Sequence, residues 1–254
     1  MTENITGILL FPELSVHRLS PTSAPYIISS TAKLFAEVFL ARETTTVSLL
    51  SSLSDSAAQA LGASLHAYAR IVTAECAEAG LSYIVCKDSD KKNKESAEVV
   101  AIFLATPYDP EASEPPVPSG FEPTFTLLHD LGAAYDAQVH QSLNLKQDKT
   151  LELFIGAVSS AYAGKHLPAS IVPLLLANAR AFGYTSVVAR CTSISQIVLG
   201  KMGFEARVKI RYDAFVYEGK RVFAGIGFPE SAALMWKSLV NDREEVKVKT
   251  KSKL

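Results

Sequence analysis

Apolar residues recur along the chain with two different periods, one typical of strands and one typical of helices. The clearest stretch has strand-like apolar runs at Leu151–Val158 and Thr185–Cys191, with a helical pattern from about 169 to 182 between them. Gly183 follows that helix, at the position where a glycine often ends one. A strand, a helix and a strand in so short a segment predict a parallel strand pair joined by a right-handed crossover.

The loop between the first of these strands and the helix, Ser159–Pro168, is the first place where chemistry is expected. Ligands of parallel strand–helix units bind beyond the carboxyl ends of the strands. A short helix at about Ile194–Met202 follows the second strand, and Gly203 and Phe204 lead onward from it. The loop is therefore the first candidate for a binding segment.

The remaining segments complete a mixed pattern of strands and helices. The predicted strands are Ile8–Leu19, Leu81–Lys87, Val99–Thr106, about Ala206–Tyr217 and Arg221–Ile226, and the predicted helices are Tyr26–Arg42, Ala57–Ala79, Phe125–Leu143 and Ser231–Val240. A polar turn at 88–94 joins two of these strands into a predicted antiparallel hairpin. Because no repeat or linker interrupts the pattern, we expect residues 1–240 to form one domain, followed by a flexible basic tail at 241–254.

Length, composition and charge narrow the class of protein. With 254 residues, of which 48% are hydrophobic, the chain is long enough to bury a substantial core. A net charge of −1 gives no general attraction to nucleic acid or to a membrane surface. No apolar run is long enough to span a bilayer, and no basic region precedes the first apolar residues as it would in a signal peptide.

Cysteine and histidine residues show no spacing that is typical of a metal site. Cys76, Cys86 and Cys191 lie far apart in apolar runs, which is typical of buried free thiols. The five histidines also lack the intervals of metal ligands, so no metal is expected. Neither a G-x-S-x-G motif nor a nucleotide-binding fingerprint occurs in the sequence.

The final residues carry a separate signal. The chain ends in Ser252, Lys253 and Leu254, after a polar segment that is rich in lysine. A carboxyl-terminal Ser-Lys-Leu is the address read by the peroxisomal import receptor. The other interpretation is a solvated basic tail, but this tripeptide arises by chance in roughly one of several thousand chains. We therefore expect a eukaryotic peroxisomal protein that binds the import receptor through these three residues.

The run from Thr192 to Phe204 resembles the GNAT superfamily of acyl-CoA-dependent N-acetyltransferases. Residues Thr192–Gln196 and Lys201–Phe204 are similar to the segment in which that family sets a short helix beside the cofactor and ends it with Gly-Phe. The resemblance is nearest to the arylalkylamine N-acetyltransferase-like branch. It implies acetyl-CoA, or another acyl-CoA, as the cofactor and a small amine as the acceptor.

The resemblance also implies a fold. It implies a single GNAT-like domain of the α/β (α+β) class, with a mixed central sheet, helices on both faces and a parallel strand pair at the cofactor cleft. The order of the strands and helices, which was found from periodicity alone, is the order of that family as well.

The segment Val158–Ala169 lines up with the pyrophosphate loop of the GNAT family, whose usual form is Arg/Gln-x-x-Gly-x-Gly/Ala. Three other residues stand at its key positions: Ala163, His166 and Pro168. Loop N–H groups at a helix N-terminus bind anions because they lack intrahelical partners, and a proline removes one of them. Gly164 keeps backbone freedom, and Lys165 or a protonated His166 would add positive charge. Either the loop binds CoA in a modified geometry or it has lost the cofactor.

The strand before the loop is implied to hold the rest of the cofactor. Val158 and Ser160 would offer backbone groups to the pantetheine arm, as strands do for other extended ligands. N–H groups near Ala157 and Val158 would donate to the acyl carbonyl, where negative charge develops during transfer. The other interpretation of these residues is a buried core strand, and both can be true. The cofactor contacts predicted in this way are Ala157, Val158, Ser160, Gly164, Lys165, His166, Ala169 and Ser195.

Amine acetylation needs a base, because a protonated amine has no lone pair for attack. Glu43 is the candidate, since the pattern F-x-x-x-F-x-x-x-E formed with Phe35 and Phe39 resembles the arylalkylamine-type branch, in which a glutamate acts as base through water. That branch usually has a proline next, whereas this chain has Thr44. An exposed carboxylate at a helix end is the alternative.

The departing thiolate needs a proton or a hydrogen bond. Many GNAT enzymes use a tyrosine four residues before the Gly-Phe pair, where this chain has Leu199. Ser193 and Ser195 are candidates for a relay, and helix capping is the other interpretation of Ser193. Tyr212 is a further relay candidate, unless it is a tyrosine of the strand core.

These observations leave two classes of function open. The first is a peroxisomal GNAT-type N-acyltransferase that moves an acetyl or other acyl group to a small amine, with Phe35, Phe39 and Tyr135 as apolar walls for the acceptor. The second is a GNAT-fold protein that has lost acetyl transfer, and that binds a ligand or partner or catalyses other chemistry in a biosynthetic pathway.

Overall fold

The computed structural model describes residues 4–5, 11–87, 97–109, 115–137, 149–192 and 194–240. The strands are β1 Asn4–Ile5, β2 Leu14–Leu19, β3 Ser82–Lys87, β4 Glu98–Pro107, β5 Thr150–Val158, β6 Ser186–Cys191, β7 Glu205–Arg211 and β8 Ser231–Ser238. Within the described residues they form a single sheet in the order β1-β2-β3-β4-β5-β6-β8-β7. The helices are α1 Pro25–Arg42, α2 Thr44–Leu50, α3 Asp55–Ala79, α4 Glu122–Tyr135, α5 Leu167–Ala181 and α6 Ser195–Lys201.

The sheet is mixed, as predicted. Strands β5 and β6 are parallel and are joined through α5, whereas the other described strand pairs are antiparallel. The parallel register joins Thr150–Glu152 to Ser186–Val188, and the hydroxyl groups of Thr150 and Ser186 lie 2.9 Å apart at its start. Beyond these three residue pairs β5 stays paired with β4 but no longer with β6.

Helices cover both faces of the sheet because successive strand residues point to opposite sides. On one face Tyr83 and Leu151 pack with Ile171 of α5. On the other face Ile84 and Ile102 pack with residues of α1 and α3. Helix α4 covers a third apolar cluster over β6, β7 and β8. These layers confirm the predicted α/β architecture. No helix among the described residues combines the length and the apolar character needed to cross a bilayer.

The prediction of a final helix at Ser231–Val240 is wrong. Residues Ser231–Ser238 form β8, which lies between β6 and β7 in the sheet. Both faces of this strand are covered, so four successive residues, Ala232–Met235, are buried. A short strand buried on both sides has no alternating pattern and cannot be distinguished from a buried helix by periodicity.

The predicted hairpin before β8 is also wrong. Strand β7 ends at Arg211, and residues Tyr217 and Lys220 form a single isolated bridge in place of a strand pair. The apolar residues that suggested strands, Phe215 and Phe223, stack on each other under α4 in the third apolar cluster. They are therefore buried by a compact loop.

Several segment ends differ from the predicted ones. A helix that was not predicted, α2, follows α1 directly, while the first long strand begins at Leu14 and α4 begins at Glu122. The predicted extension of α4 to Leu143 lies in part outside the described residues, as do the predicted tail at 241–254 and Ser252, Lys253 and Leu254.

Candidate active site

The separation of β5 from β6 forms a cavity with a volume of about 260 Å³. One wall is β5 from Leu153 to Val158, and the opposite wall is the end of β6 with the beginning of α6. The end of α1 closes one side and Pro168 of α5 borders another. We refer to this space as the cleft.

Strand β5 turns one backbone edge towards the cleft. Its other edge pairs with β4, where Phe103 faces Gly156 and Ile102 faces Ala157. A bulge leaves Phe154 as the extra residue, between Leu153, which faces Ala105, and Ile155, which faces Leu104. Since alternate backbone groups of a strand point to its two edges, those of residues 153–158 that face β6 have no strand partner there. Ala157 and Val158, both predicted cofactor contacts, lie in this wall.

The loop after β5 contains two residues in the left-handed backbone conformation before α5. Ser160 begins a single 3-10 turn, and Gly164 and His166 then adopt φ values of +76° and +57°. Left-handed residues beside right-handed ones orient successive N–H groups into an anion-binding concavity, and the first N–H groups of α5 add to it. The predicted contacts Ser160, Gly164, Lys165, His166 and Ala169 are exposed around this turn and are not part of the cleft wall.

The ammonium group of Lys165 contacts aromatic rings. Its Nζ lies 4.3 Å from the ring centre of Tyr162 and 5.3 Å from that of Phe11. A cation over an aromatic face is attracted to it, so these two rings hold Lys165 on the outside of the loop.

Glu43 is buried, with 6% of its surface exposed, and is not the exposed carboxylate that sequence reasoning left as an alternative. It is the N-cap of α2, where its carboxylate accepts hydrogen bonds from the N–H groups of Thr45 and Thr46. The hydroxyl of Thr45 donates to Oε2 at 2.7 Å, and the hydroxyl of Thr192 donates to Oε1 at 2.5 Å. The carboxylate of Glu43, the predicted base, is thus held by the first turn of α2 on one side and by Thr192, just after β6, on the other.

A second, smaller cavity of about 60 Å³ lies next to the cleft. Three side chains that line both spaces carry polar groups: Glu43, Arg190 and Thr192. The other walls of the second cavity are largely aromatic and are formed by Phe35, Phe39, Tyr68, Phe121, Phe125 and Phe154. We refer to this space as the aromatic pocket. Tyr135, which was expected among the walls of this pocket, is the last residue of α4 and packs in the third apolar cluster.

The relay candidates lie in different places. Ser195 is the first residue of α6 and lines the cleft, where its side chain hydrogen-bonds the thiol of Cys191. Tyr212 is fully buried and lines neither cavity, and its hydroxyl donates to the carbonyl oxygen of Thr192. Burial, with the nearby charge of Glu43, raises the pKa of Tyr212 well above its usual value. Ser193 lies outside the described residues.

Sequence reasoning missed an ion pair at the boundary of the two cavities. Nε of Arg190 lies 2.7 Å from Oε1 of Glu152, and Nη2 lies 3.2 Å from Oε2. Both side chains are largely buried, and Arg190 lines both cavities. A charged residue inside an apolar strand is rarely buried without a partner. Because Glu152 and Arg190 lie on the two strands predicted to be parallel, the sequence did contain a signal for their pairing.

The described residues contain no metal-binding cluster. No three His, Cys, Asp or Glu side chains among them come together as they would around a metal ion.

Comparison with solved structures identifies the fold. Arylalkylamine N-acetyltransferase 2 from Aedes aegypti matches 89% of this chain and 99% of its own, with a TM-score of 0.63 and 16% identity. This chain has the GNAT fold. A mosquito arylalkylamine N-acetyltransferase-like 5b shares this GNAT fold, with a TM-score of 0.60, 15% identity and 89% and 99% of the two chains covered.

Another similar structure is the C-terminal condensation domain of Ebony, in complex with beta-alanyl-dopamine. It has a TM-score of 0.67 at 12% identity, over 89% of this chain and 98% of that one. No protein-family model and no curated protein sequence matches the chain. The resemblance seen in Thr192–Phe204 is confirmed at the level of the GNAT fold.

Proposed function

We propose that this chain is an acyl-CoA-dependent N-acyltransferase that transfers an acetyl or other acyl group to a small amine. The observation that carries the proposal is the meeting of two cavities at one carboxylate. The cleft has an unpaired strand edge suited to an extended acyl donor, and the aromatic pocket suits an amine with an apolar body. Glu43 lies between them, in the walls of both.

The residues of the cleft fit an acyl-CoA. The free edge of β5 offers N–H and C=O groups at the spacing that the amides of an extended pantetheine arm require. The left-handed turns at Gly164 and His166, with the start of α5, offer N–H groups to a pyrophosphate. Pro168 removes one such group, but those of Gly164, His166 and Leu167 remain.

The chain's own residues would then perform the transfer in three ways. Backbone N–H groups near Ala157 and Val158 would stabilise the negative charge that develops on the acyl oxygen. Glu43 would accept the proton that the amine must lose before attack. Ser195, at the cleft end of α6, would hydrogen-bond the departing sulfur.

A test of this function measures free thiol released from acetyl-CoA, and from longer acyl-CoAs, in the presence of a panel of small amines. The panel includes phenethylamine, a polyamine and an amino acid amide. Thiol release that requires an amine, with the matching amide found by mass spectrometry, supports the proposal. No transfer to any amine from any acyl-CoA would contradict it.

A second function has specific support. The loop lacks the usual glycine motif, Leu199 replaces the usual tyrosine, and one structural neighbour is a condensation domain. The alternative is therefore a GNAT-fold protein that binds a ligand in the cleft or catalyses other chemistry there. Binding of the panel amines without binding of any acyl-CoA would favour this alternative.

We also propose a peroxisomal location, on the sequence of residues Ser252, Lys253 and Leu254 alone. The test compares a fluorescent protein fused to the amino terminus of the whole chain with the same fusion lacking these three residues. Import of the first fusion and cytosolic fluorescence of the second support the proposal. Import of both would show that the three residues are not the signal in use.

A further inference from the structure

The charged side chains that line the two cavities do not all balance one another. Among the described residues they are Arg42, Glu43, Glu152 and Arg190. Arg190 and Glu152 form the two-point ion pair at the boundary of the cavities, so each balances the other. Glu43 accepts hydrogen bonds from uncharged N–H and hydroxyl groups. One negative charge, on Glu43, and one positive charge, on Arg42, are therefore left without an ion-pair partner within the part of the chain that the structure describes.

Arg42 is the last residue of α1 and directly precedes Glu43. Its side chain is exposed and lies in the wall of the cleft, to which Glu43 also contributes. Consecutive Cα atoms are about 3.8 Å apart, so the guanidinium group is tethered beside the carboxylate that is proposed to receive the proton of the amine. A group bound next to Glu43 is thus within reach of Arg42 as well.

A cation in the last turn of a helix also has a structural interpretation. Such a charge stabilises the helix by its interaction with the negative end of the helix dipole. Arg180 satisfies this condition in the last turn of α5, and its side chain lines neither cavity. The interaction with the dipole therefore requires no position in a cavity wall, and the place of Arg42 in the cleft is left unexplained by it.

A ligand that complements these charges has an ammonium group beside Glu43 and an anionic group beside Arg42. A guanidinium group presents its N–H donors as a planar fork that matches the two oxygens of a carboxylate. The aromatic pocket, which also includes Glu43 in its wall, suits an apolar side chain. An ammonium group, a carboxylate and an apolar side chain that branch from neighbouring atoms are the features of an apolar or aromatic amino acid.

We propose that the acceptor is an apolar or aromatic amino acid and that Arg42 binds its carboxylate. The proposal rests on the acyl transfer proposed above and names the class of acceptor. The N–C bond of the new amide forms as the C–S bond of the thioester breaks. One ammonium proton goes to Glu43 and the second goes to the departing thiolate. The carboxylate of the acceptor stays ionised beside Arg42, and the product is an N-acyl amino acid.

The acyl donor also carries negative charge, in two places. Its pyrophosphate is proposed to lie on the loop before α5, whose exposed residues are not part of the cleft wall, whereas Arg42 is part of that wall. An acyl group with its own carboxylate, such as succinyl, would lie inside the cleft. The experiment therefore varies the acceptor and the acyl group separately and measures the binding of the donor.

The test compares Arg42→Met, Arg42→Lys and Arg180→Met with the unchanged protein. The acceptors are L-phenylalanine and phenethylamine, which differ by the carboxylate alone, and the donors are acetyl-CoA and succinyl-CoA. Methionine keeps an unbranched side chain without the charge, and lysine keeps the charge without the fork. Arg180→Met is the matched control, because it removes a last-turn cation that lies outside both cavities.

The expected result is that the unchanged protein has a kcat/KM for L-phenylalanine at least about tenfold above that for phenethylamine. Arg42→Met is expected to raise KM for L-phenylalanine by about tenfold to a hundredfold, since it removes hydrogen bonds between charged groups. Its kcat and its KM for phenethylamine stay close to those of the unchanged protein, because the interaction is made equally in the bound substrate and in the transition state. Arg42→Lys is expected to lie between the two, and Arg180→Met to change neither KM.

Three results would overturn the proposal. The first is an equal change with L-phenylalanine and phenethylamine in Arg42→Met, which indicates a role without acceptor selectivity. The second is weaker calorimetric binding of acetyl-CoA to Arg42→Met, which assigns Arg42 to the phosphates of the donor. The third is a loss with succinyl-CoA and phenethylamine that is absent with acetyl-CoA, which places the carboxylate on the acyl group. Failure of the unchanged protein to acylate either acceptor or any other amine contradicts the proposed function itself, and is thereby distinguished from these three results.

Discussion

The guanidinium group of Arg190 and the carboxylate of Glu152 form a two-point ion pair across the parallel strands, where β5 and β6 begin to separate. The N–O distances are 2.7 and 3.2 Å, and both side chains are largely buried. The pair lies beside the last parallel partners, Glu152 and Val188, so it closes the paired end of the cleft.

Breaking this ion pair is expected to destabilise the fold strongly. Either Arg190→Met or Glu152→Leu leaves one buried charge without its partner, which costs about 3–5 kcal/mol. The double variant removes both charges and is expected to cost less than the sum of the two single variants. Chemical denaturation of all four proteins measures the coupling. A double variant whose loss equals the sum of the single losses would contradict a direct interaction.

Glu43→Gln is expected to affect both turnover and stability. Loss of the base lowers kcat by about a hundredfold or more, with little change in the affinity for acyl-CoA. Loss of the N-cap of α2 lowers the free energy of unfolding by about 1 kcal/mol, because an amide has one oxygen that accepts and an NH2 group that cannot. Steady-state kinetics and denaturation measure the two effects.

A cap substitution outside the cavities serves as the control for that variant. Ser54 accepts a hydrogen bond from the N–H of Ala57 at the start of α3, and Ser54→Ala is expected to reduce stability while retaining turnover. If Glu43→Gln also retains turnover, the carboxylate is a structural cap and takes no part in catalysis.

Two buried thiols are expected to make the fold sensitive to alkaline pH. Burial raises the pKa of Cys76 and of Cys191 from 9.0 to about 12. Because both thiols lose their protons at a higher pH in the folded protein than in the unfolded chain, they do not affect the free energy of unfolding below pH 9. As the pH rises from 9 towards 12, the unfolded chain is favoured and the folded protein loses stability. Each thiol lowers the free energy of unfolding by about 1.4 kcal/mol per pH unit in that range.

Denaturation midpoints at several pH values measure this loss. The variant with both Cys76→Ala and Cys191→Ala is expected to show a flatter dependence between pH 9 and 12, with the remaining slope due to buried tyrosines such as Tyr212. An identical slope in the variant and the unchanged protein would contradict the assignment to these thiols.

Lys165→Ala is expected to weaken acyl-CoA binding more at low salt than at high salt. The ammonium group lies on the loop that is proposed to hold the pyrophosphate, and salt screens the attraction between exposed charges. Binding titrations at two salt concentrations measure the difference. An equal loss at both would assign the role of Lys165 to its contacts with the rings of Tyr162 and Phe11.

The sequence predicted the parts of the fold in which pattern and burial agree. The β5–α5–β6 unit and the hairpin of β3 and β4 have short apolar runs, turn residues and lengths that all favour one structure. Strand β8 was mistaken for a helix because α4 covers one of its faces and the apolar cluster of α5 and α6 covers the other. That burial comes from residues distant in the sequence. Helix α2 was missed because its threonine-rich sequence has little intrinsic preference for a helix, and the cap at Glu43 begins it.

The sequence singled out Glu43, Ala157 and Val158, which line the cleft, but it did not indicate the contacts that join the cleft walls. Glu43 was found from its spacing to Phe35 and Phe39, whereas its bond to Thr192 joins residues 149 positions apart. The ion pair of Glu152 and Arg190 likewise depends on the parallel register of β5 and β6. Such contacts follow from the closure of the sheet, and no local pattern in the sequence indicates them.

The central claim is that the cleft between β5 and β6 binds an acyl-CoA, and a calorimetric titration with acetyl-CoA tests it most directly. The matched control is Gly156→Leu, since Gly156 is exposed in the cleft wall and a Cβ there lies 3.9 Å from the nearest atom, in Phe103. We expect micromolar binding to the unchanged protein and a loss of at least about tenfold in the variant. No binding of acetyl-CoA or of longer acyl-CoAs, or equal binding by both proteins, would contradict the claim.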